Sequence, residues 1–175
     1  MRISWLCLIS FLVFSTSVGA AEIRDANRLL RASNVANQFE SMTRQQTRNI
    51  IRTYSSIVAM SADVELPQRL KLEIAACYQQ AFAWEKFEEG IAQILLENFS
   101  GAEIELLTNF YQSEGLPPTE IENFKAAISK GRMIQQLTAD YISANSNGCT
   151  QHDIDLILAF LADAKITSSK TLSAE

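Results

Sequence analysis

Two cysteines and one histidine are the residues whose types point first to covalent or metal chemistry. Cys77 and Cys149 are the cysteines that follow the first twenty residues, and His152 is the only histidine. Two thiols in an oxidising compartment favour one disulfide, worth roughly 4 kcal/mol for a loop of this length in the chain-entropy picture. The alternative is two separate buried thiols that behave as small hydrophobic side chains. We predict the Cys77–Cys149 bridge.

The single histidine restricts acid–base and metal chemistry. His152 lies beside Asp153 and near Asp155, in the first turn of a predicted helix. A histidine at such a position is typically exposed and has only a structural role, although it could transfer a proton or bind a metal. Two Glu-x-x-His pairs or a His-Glu-x-x-His motif cannot be built from one histidine. The sequence contains no nucleophile elbow, no Ser-x-x-Lys motif, no Cys-x-x-Cys motif and no glycine-rich phosphate loop. We therefore predict no catalytic residues, metal or cofactor, and a protein that is not an enzyme.

Charge is unevenly distributed along the chain. The segment from Glu85 to Lys125 contains nine acidic residues and two lysines, a local net charge of −7. This pattern is typical of a solvated acidic face, and its spacing matches no calcium-binding loop. Six arginines at three- and four-residue spacing form two basic stripes, which could meet lipid headgroups or an anionic envelope polymer or simply pair with acidic side chains. This candidate surface for an anionic partner comprises Arg24, Arg28, Arg31, Arg44, Arg48 and Arg52.

The first twenty residues have the pattern of an export signal. Arg2 precedes a short apolar run, and Val18 and Ala20 are the small residues expected before a cleavage site. We predict cleavage near Ala20, a periplasmic location and no transmembrane anchor in the remaining chain. Without Arg2 the chain has 14 basic and 20 acidic residues, a net charge of −6, which argues against a nucleic-acid partner.

Apolar residues recur at helical spacing throughout residues 21–175, and no stretch alternates as a strand would. The pattern predicts an all-α fold, a single bundle of about six helices with a tail that frays from about residue 167. One helix is expected from Pro67 to Phe99 and another from Thr119 to Tyr141. Within the second, Gly131 lies on the inner stripe and predicts close approach by another helix.

The last helix is predicted to open with a cap formed by Thr150 and Asp153, and to bury its apolar residues. Those residues are Ile154, Ile157, Leu158 and Leu161.

The segment from Asn98 to Pro118 has the clearest local signals. Ser100 and Glu103 form a Ser-x-x-Glu capping box, and Gly115 suits a left-handed position after the helix. The spacing predicts that Phe110 and Tyr111 dock this short helix into the core.

This central segment resembles a family of secreted, all-helical proteins of Gram-negative bacteria that is known only as a domain of unknown function. The resemblance covers roughly Pro67 to Tyr141, and it departs from the family pattern at Glu114, where a proline is usual, and at the early Gly115. It implies an exported helical protein and supplies no activity. The matching positions are Trp84, Phe99, Ser100, Glu103, Leu106, Leu107, Phe110, Tyr111, Ser113 and Gly115.

Two functions from different classes are compatible with these residues. The first is a non-enzymatic periplasmic protein that acts through a helical surface on another protein or on a second copy of itself. The alternative is a binding module for a lipid or other apolar ligand held between helices, lined by aromatic residues such as Trp84 and Phe87. Elimination of catalytic motifs and the segregation of charge favour the first.

Overall fold

The computed structural model describes residues 17–112, 115–146 and 148–172, and the side chains of residues 22–164 within those ranges. The described residues form helices and no strand, so the all-α fold class is confirmed. The predicted signal peptide falls almost wholly outside this part of the chain. The α-helices are α1 (Ser17–Ala32), α2 (Val35–Ala62), α3 (Gln68–Ala81), α4 (Glu88–Asn98), α5 (Gly101–Tyr111), α6 (Ile121–Ser129), α7 (Gly131–Asn145) and α8 (Thr150–Leu172), with 3-10 turns at Trp84–Lys86 and Pro118–Glu120.

The described residues contain more helices than the sequence predicted, because two of the expected long helices are broken. The helix expected from Pro67 to Phe99 is interrupted by the 3-10 turn at Trp84–Lys86. The helix expected from Thr119 to Tyr141 is interrupted at Lys130. The prediction for Gly131 was wrong: this glycine is exposed, begins α7 and has open space around it. It lies at the break between α6 and α7.

The pattern of contacts divides the chain into two units, each with its own buried residues. Unit 1 comprises α1 and residues 92–131, and in it α5 packs against both α1 and α6. Among the described residues, Thr108 is the buried polar member of its core, and its hydroxyl donates a hydrogen bond to the Ile104 carbonyl at 2.7 Å. The buried apolar residues are Ala26, Leu29, Leu30, Ala92, Leu95, Ile104, Leu107 and Ala127.

Unit 2 comprises residues 34–91 and the described residues from 132 onwards. In it α3 is the central helix and packs against both α2 and α8. Asn34 (φ 57°) starts α2 and Asp63 (φ 55°) ends it, both in the left-handed conformation that asparagine and aspartate tolerate best after glycine. The buried cluster of this unit consists of Val58, Leu66, Leu70, Ile74, Tyr78, Ala81 and Cys149.

Gly90 allows a close approach within unit 2. A side chain added at this position would overlap the ring of Tyr141, which lies directly against the glycine backbone. The same tyrosine ring meets Phe87 edge-on at 6.3 Å between centroids. The close packing against Tyr141 therefore explains why a glycine occupies position 90, which its low helix propensity alone did not indicate.

Of the four residues predicted to be buried on helix α8, Ile157 and Leu161 pack inward and the other two do not. Ile154 and Leu158 are 41% and 59% exposed, so the prediction that both are buried was wrong. The inward stripe follows Cys149 at helical spacing instead, and α8 stays helical to Leu172 through the segment expected to fray. The partly buried members of that stripe are Leu156, Ile157, Phe160 and Leu161.

Candidate functional site

The predicted disulfide is present in unit 2. Cys77 of α3 and Cys149, the residue before α8, have Cα atoms 6.0 Å apart and sulfur atoms at bonding distance. The bridge closes a loop with a sequence separation of 72 residues. Cys149 is almost fully buried, so the bond fastens the first turn of α8 to the middle of the unit.

A buried polar cluster lies next to this bridge. The Tyr78 hydroxyl donates a hydrogen bond to Oδ2 of Asp153 at 3.0 Å, and the hydroxyl of Tyr54 adds a second tyrosine to the cluster. Asp153 has no exposed surface. Burial raises the pKa of the Asp153 carboxyl, although the tyrosine hydroxyls and His152 partly oppose this. Burial and the neighbouring carboxylate also raise the pKa of Tyr78.

The sequence did not reveal this cluster. It assigned Asp153 to a helix cap with Thr150, whereas Thr150 is already inside α8 and the carboxylate points to α3. The available signal was spacing, because Asp153 follows Cys149 by four residues and so shares its helix face. His152 is exposed, as predicted for its position.

The raised pKa of Asp153 predicts a pH-dependent stability. A carboxyl whose pKa is higher in the folded state stabilises the fold below its ordinary value of 3.8, and this stabilisation is lost as the pH rises through the folded value. We expect the free energy of unfolding of wild type relative to Asp153→Asn to fall as the pH rises from about 4 to 7. Urea titrations in a His152→Gln background would measure this without the histidine's own ionisation, and a constant difference would contradict it.

The capping box of α5 is confirmed, and it holds a lysine from the end of α6. Ser100 Oγ accepts from the Glu103 amide at 3.3 Å, and Glu103 Oε2 accepts from the Ser100 amide at 2.8 Å. The Lys130 ammonium lies 2.8 Å from Glu103, donates to the Asn98 carbonyl at 3.0 Å and sits 5.4 Å from the centre of the Phe99 ring. This lysine, and then the Ser100 amide, lower the pKa of Glu103. Two family-motif positions, Phe99 and Glu103, therefore contact Lys130, and Ser100 holds Glu103 in place. We call these three residues the lysine seat.

Removing the lysine should weaken unit 1 measurably. We expect Lys130→Met to lower the free energy of unfolding by about 1 kcal/mol, because it breaks a partly buried, charge-assisted contact. Lys125→Met is the matched control, since Lys125 pairs with Glu122 while both side chains stay more than half exposed. Chemical denaturation of the two variants should separate them, and equal losses would argue against the lysine seat.

The aromatic pair at the end of α5 is exposed. Phe110 and Tyr111 are 41% and 46% exposed, so the prediction that they dock the helix into the core was wrong. Phe110 instead packs against Phe124 of α6, with ring centroids 4.6 Å apart, and against Tyr111 at 5.5 Å. Ile121 and Ile128 lie one turn to either side of Phe124 and are 40% and 49% exposed. We call Phe110, Tyr111, Ile121, Phe124 and Ile128 the α5–α6 face.

Two further family-motif positions, Trp84 and Gly115, have structural explanations. Trp84 belongs to unit 2, where it is buried against Phe39 with ring centroids 5.8 Å apart. Gly115 has φ 81°, which confirms its predicted left-handed conformation. Ser113 lies outside the described residues.

All six arginines of the candidate anionic surface are exposed, three on α1 in unit 1 and three on α2 in unit 2. Arg44 pairs with Glu40 one turn earlier at 3.2 Å. Arg44 and Arg48 stand at the rim of a groove of about 420 Å³ between α2, α3 and the 3-10 turn. We call this the α2–α3 groove, and its floor includes Ile51, Phe82 and Trp84.

Comparisons with known proteins returned no matching family model, no matching curated protein and no matching solved structure. The resemblance of the central segment therefore stays a prediction. Over the residues that the structure describes, no helix is long and apolar enough to cross a membrane, and no group of three histidine, cysteine or acidic side chains is arranged to hold a metal ion.

Proposed function

We propose that this chain is a non-enzymatic protein of the bacterial envelope that acts by binding another protein through the α5–α6 face. The exposure of two aromatic and two aliphatic side chains around the partly buried Phe124 carries the proposal. Exposed apolar side chains that cluster on a surface mark interaction sites, whereas isolated ones do not. Tyrosine and phenylalanine are also among the residues enriched at the centres of protein interfaces.

The position of the face supports this function. Phe110 and Tyr111 belong to a helix whose opposite end is fixed by the capping box and Lys130, so the aromatic side chains stand on a rigid element. A rigid aromatic surface loses little conformational freedom on binding. Glu105 of α5 and Glu122 of α6 are exposed acidic residues of the same two helices and would contribute to a charged rim.

The proposed location rests on the sequence and on the bridge. The apolar run after Arg2 has the pattern of an export signal, and the Cys77–Cys149 disulfide is the kind of bond that persists in an oxidising compartment. Together they favour the periplasm, where the partner is either a second envelope protein or a second copy of this chain.

Co-purification from envelope extracts tests the function. A tagged chain with Phe110→Ser and Tyr111→Ser should lose a partner that wild type retains, because both substitutions remove exposed apolar area from the face. Leu72→Ser is the control, since Leu72 is 61% exposed on α3 and lies outside the α5–α6 face. Light scattering at micromolar concentration identifies a second copy as the partner. A wild-type chain that is monomeric and retains the same proteins as the double variant would refute the proposal.

A further inference from the structure

We propose that the α2–α3 groove of unit 2 binds an amphiphile with one acyl chain and an anionic head group, whose charge is met by Arg48. This site is separate from the α5–α6 face and does not depend on the protein contact proposed there. The inference rests on the size of the groove, on its apolar floor and on the charges at its rim.

The floor of the groove is apolar because small and aromatic residues meet there. Ala75, Ala83, the half-buried Phe82 and the buried Trp84 all line it. The buried Thr47 uses its hydroxyl to donate to the Thr43 carbonyl at 2.8 Å, so that donor is already satisfied within α2. A hydrocarbon chain on this floor would bury apolar surface without displacing a hydrogen bond.

Two arginines and two glutamates line the groove. Glu40 is paired with Arg44 at 3.2 Å, whereas Glu85 on the 3-10 turn has no ion-pair partner within the described residues. Arg48 is exposed one turn beyond Arg44, and within the described residues no carboxylate lies within 4.0 Å of its guanidinium. A guanidinium binds carboxylate or phosphate oxygens through paired hydrogen bonds. The head group is therefore expected to be an anion.

The dimensions favour a small amphiphile over a helix of a partner protein. The α2 side of the groove runs from Glu40 to Ile51, about 16 Å at the helical rise of roughly 1.5 Å per residue. A volume of about 420 Å³ lies in the range of small-ligand sites, whereas a helix with its side chains is on the order of 10 Å across. A single acyl chain has the width and the flexibility to follow such a groove.

Trp84 supplies a direct readout of occupancy. In a chain that carries Trp5→Phe, Trp84 is the only tryptophan, and bromine atoms on an acyl chain quench tryptophan fluorescence on contact. The probes are dibromostearate as the carboxylate and a monoacyl phosphate of the same brominated chain. We expect saturable quenching by both probes, and little quenching by the methyl ester of dibromostearate, which has the same chain without the charge.

Two substitutions test the assigned residues. Arg48→Gln should weaken binding of the carboxylate at least tenfold, whereas Arg52→Gln, the next arginine along the exposed side of α2, lies outside the groove and should leave it unchanged. Ala75→Leu fills the floor and should abolish quenching, with the thermal midpoint of each variant measured as the check on folding.

Four outcomes decide the proposal. Saturable quenching that is lost in Arg48→Gln supports the site, and a preference between the carboxylate and the phosphate identifies the head group. Equal binding of the uncharged ester would overturn the assigned role of Arg48. Absence of saturable quenching in wild type would overturn the site itself. None of these results changes the expected effect of the Phe110 and Tyr111 substitutions, so failure here is distinguishable from failure of the protein contact.

Discussion

Replacing both Cys77 and Cys149 by alanine should lower the free energy of unfolding by about 4 kcal/mol, because the bridge closes a loop with a sequence separation of 72 residues. This loss is a large part of the net stability of an ordinary domain. The bridge fastens α8 to α3. The hydrogen bond from Tyr78 to Asp153 lies close to it, because Tyr78 directly follows Cys77 and Asp153 follows Cys149 by four residues. The amides at the start of α8 should therefore also exchange faster in the variant.

Urea denaturation of the oxidised wild type and the double variant measures this effect. Thiol counting in denaturant is the control, since the wild type should show no reactive thiol from these two residues. A loss below about 1 kcal/mol would mean that the bridge does not constrain the unfolded chain as the entropic account requires.

Phe87→Ala should have an effect of similar size, about 3 to 5 kcal/mol, because it removes the central ring of unit 2. Phe87 has no exposed surface. Its ring lies 5.7 Å from that of Phe39 and 6.3 Å from that of Tyr141, so the side chain joins α2 to α7. The cavity left by alanine is enclosed by rings that cannot readily collapse into it.

Phe110→Ala is the matched control for this substitution. The same side chain is deleted, but Phe110 is 41% exposed, so the loss should be about 1 kcal/mol or less. Thermal and chemical denaturation of the two variants should therefore differ clearly. Equal losses would contradict the burial assigned to Phe87 and the exposure assigned to Phe110.

Several features of the fold could be predicted because they depend on neighbouring residues in the chain. The capping box needs only Ser100 and Glu103, and the left-handed turn needs only Gly115. The disulfide was predicted from the two cysteines that lie outside the predicted export signal, on the expectation of an oxidising compartment. In the first two cases all the residues involved lie within one or two turns of the chain, and in the third only one pair of cysteines was available.

The features that the sequence missed depend on partners far along the chain. Asp153 meets Tyr78 across 75 residues, and Lys130 meets Glu103 across 27. On α8, Ile154 and Leu158 form one apolar stripe, and a second stripe begins at Cys149 and includes Asp153. Hydrophobicity alone favours the first stripe, because it does not reveal that Tyr78 donates a hydrogen bond to Oδ2 of the buried Asp153 carboxylate.

The end of α5 shows the same limit. Periodicity marks Ile104, Leu107 and Tyr111 as one stripe, but it does not reveal where along the helix the packing partner stops. Ile104 and Leu107 are buried, whereas Tyr111 is nearly half exposed. The α5–α6 face, on which the proposed function rests, could therefore be recognised only from the structure.

Site-specific photo-crosslinking in the envelope tests the central claim most directly. A photoreactive amino acid at position 111, on the α5–α6 face, should form a covalent adduct with a partner protein or a second copy of the chain. The same amino acid at position 72, an exposed apolar position on α3, should not form that adduct. Adducts at position 111 alone are the predicted result. No protein adduct at position 111, or the same adducts at both positions, would contradict a specific contact through the α5–α6 face.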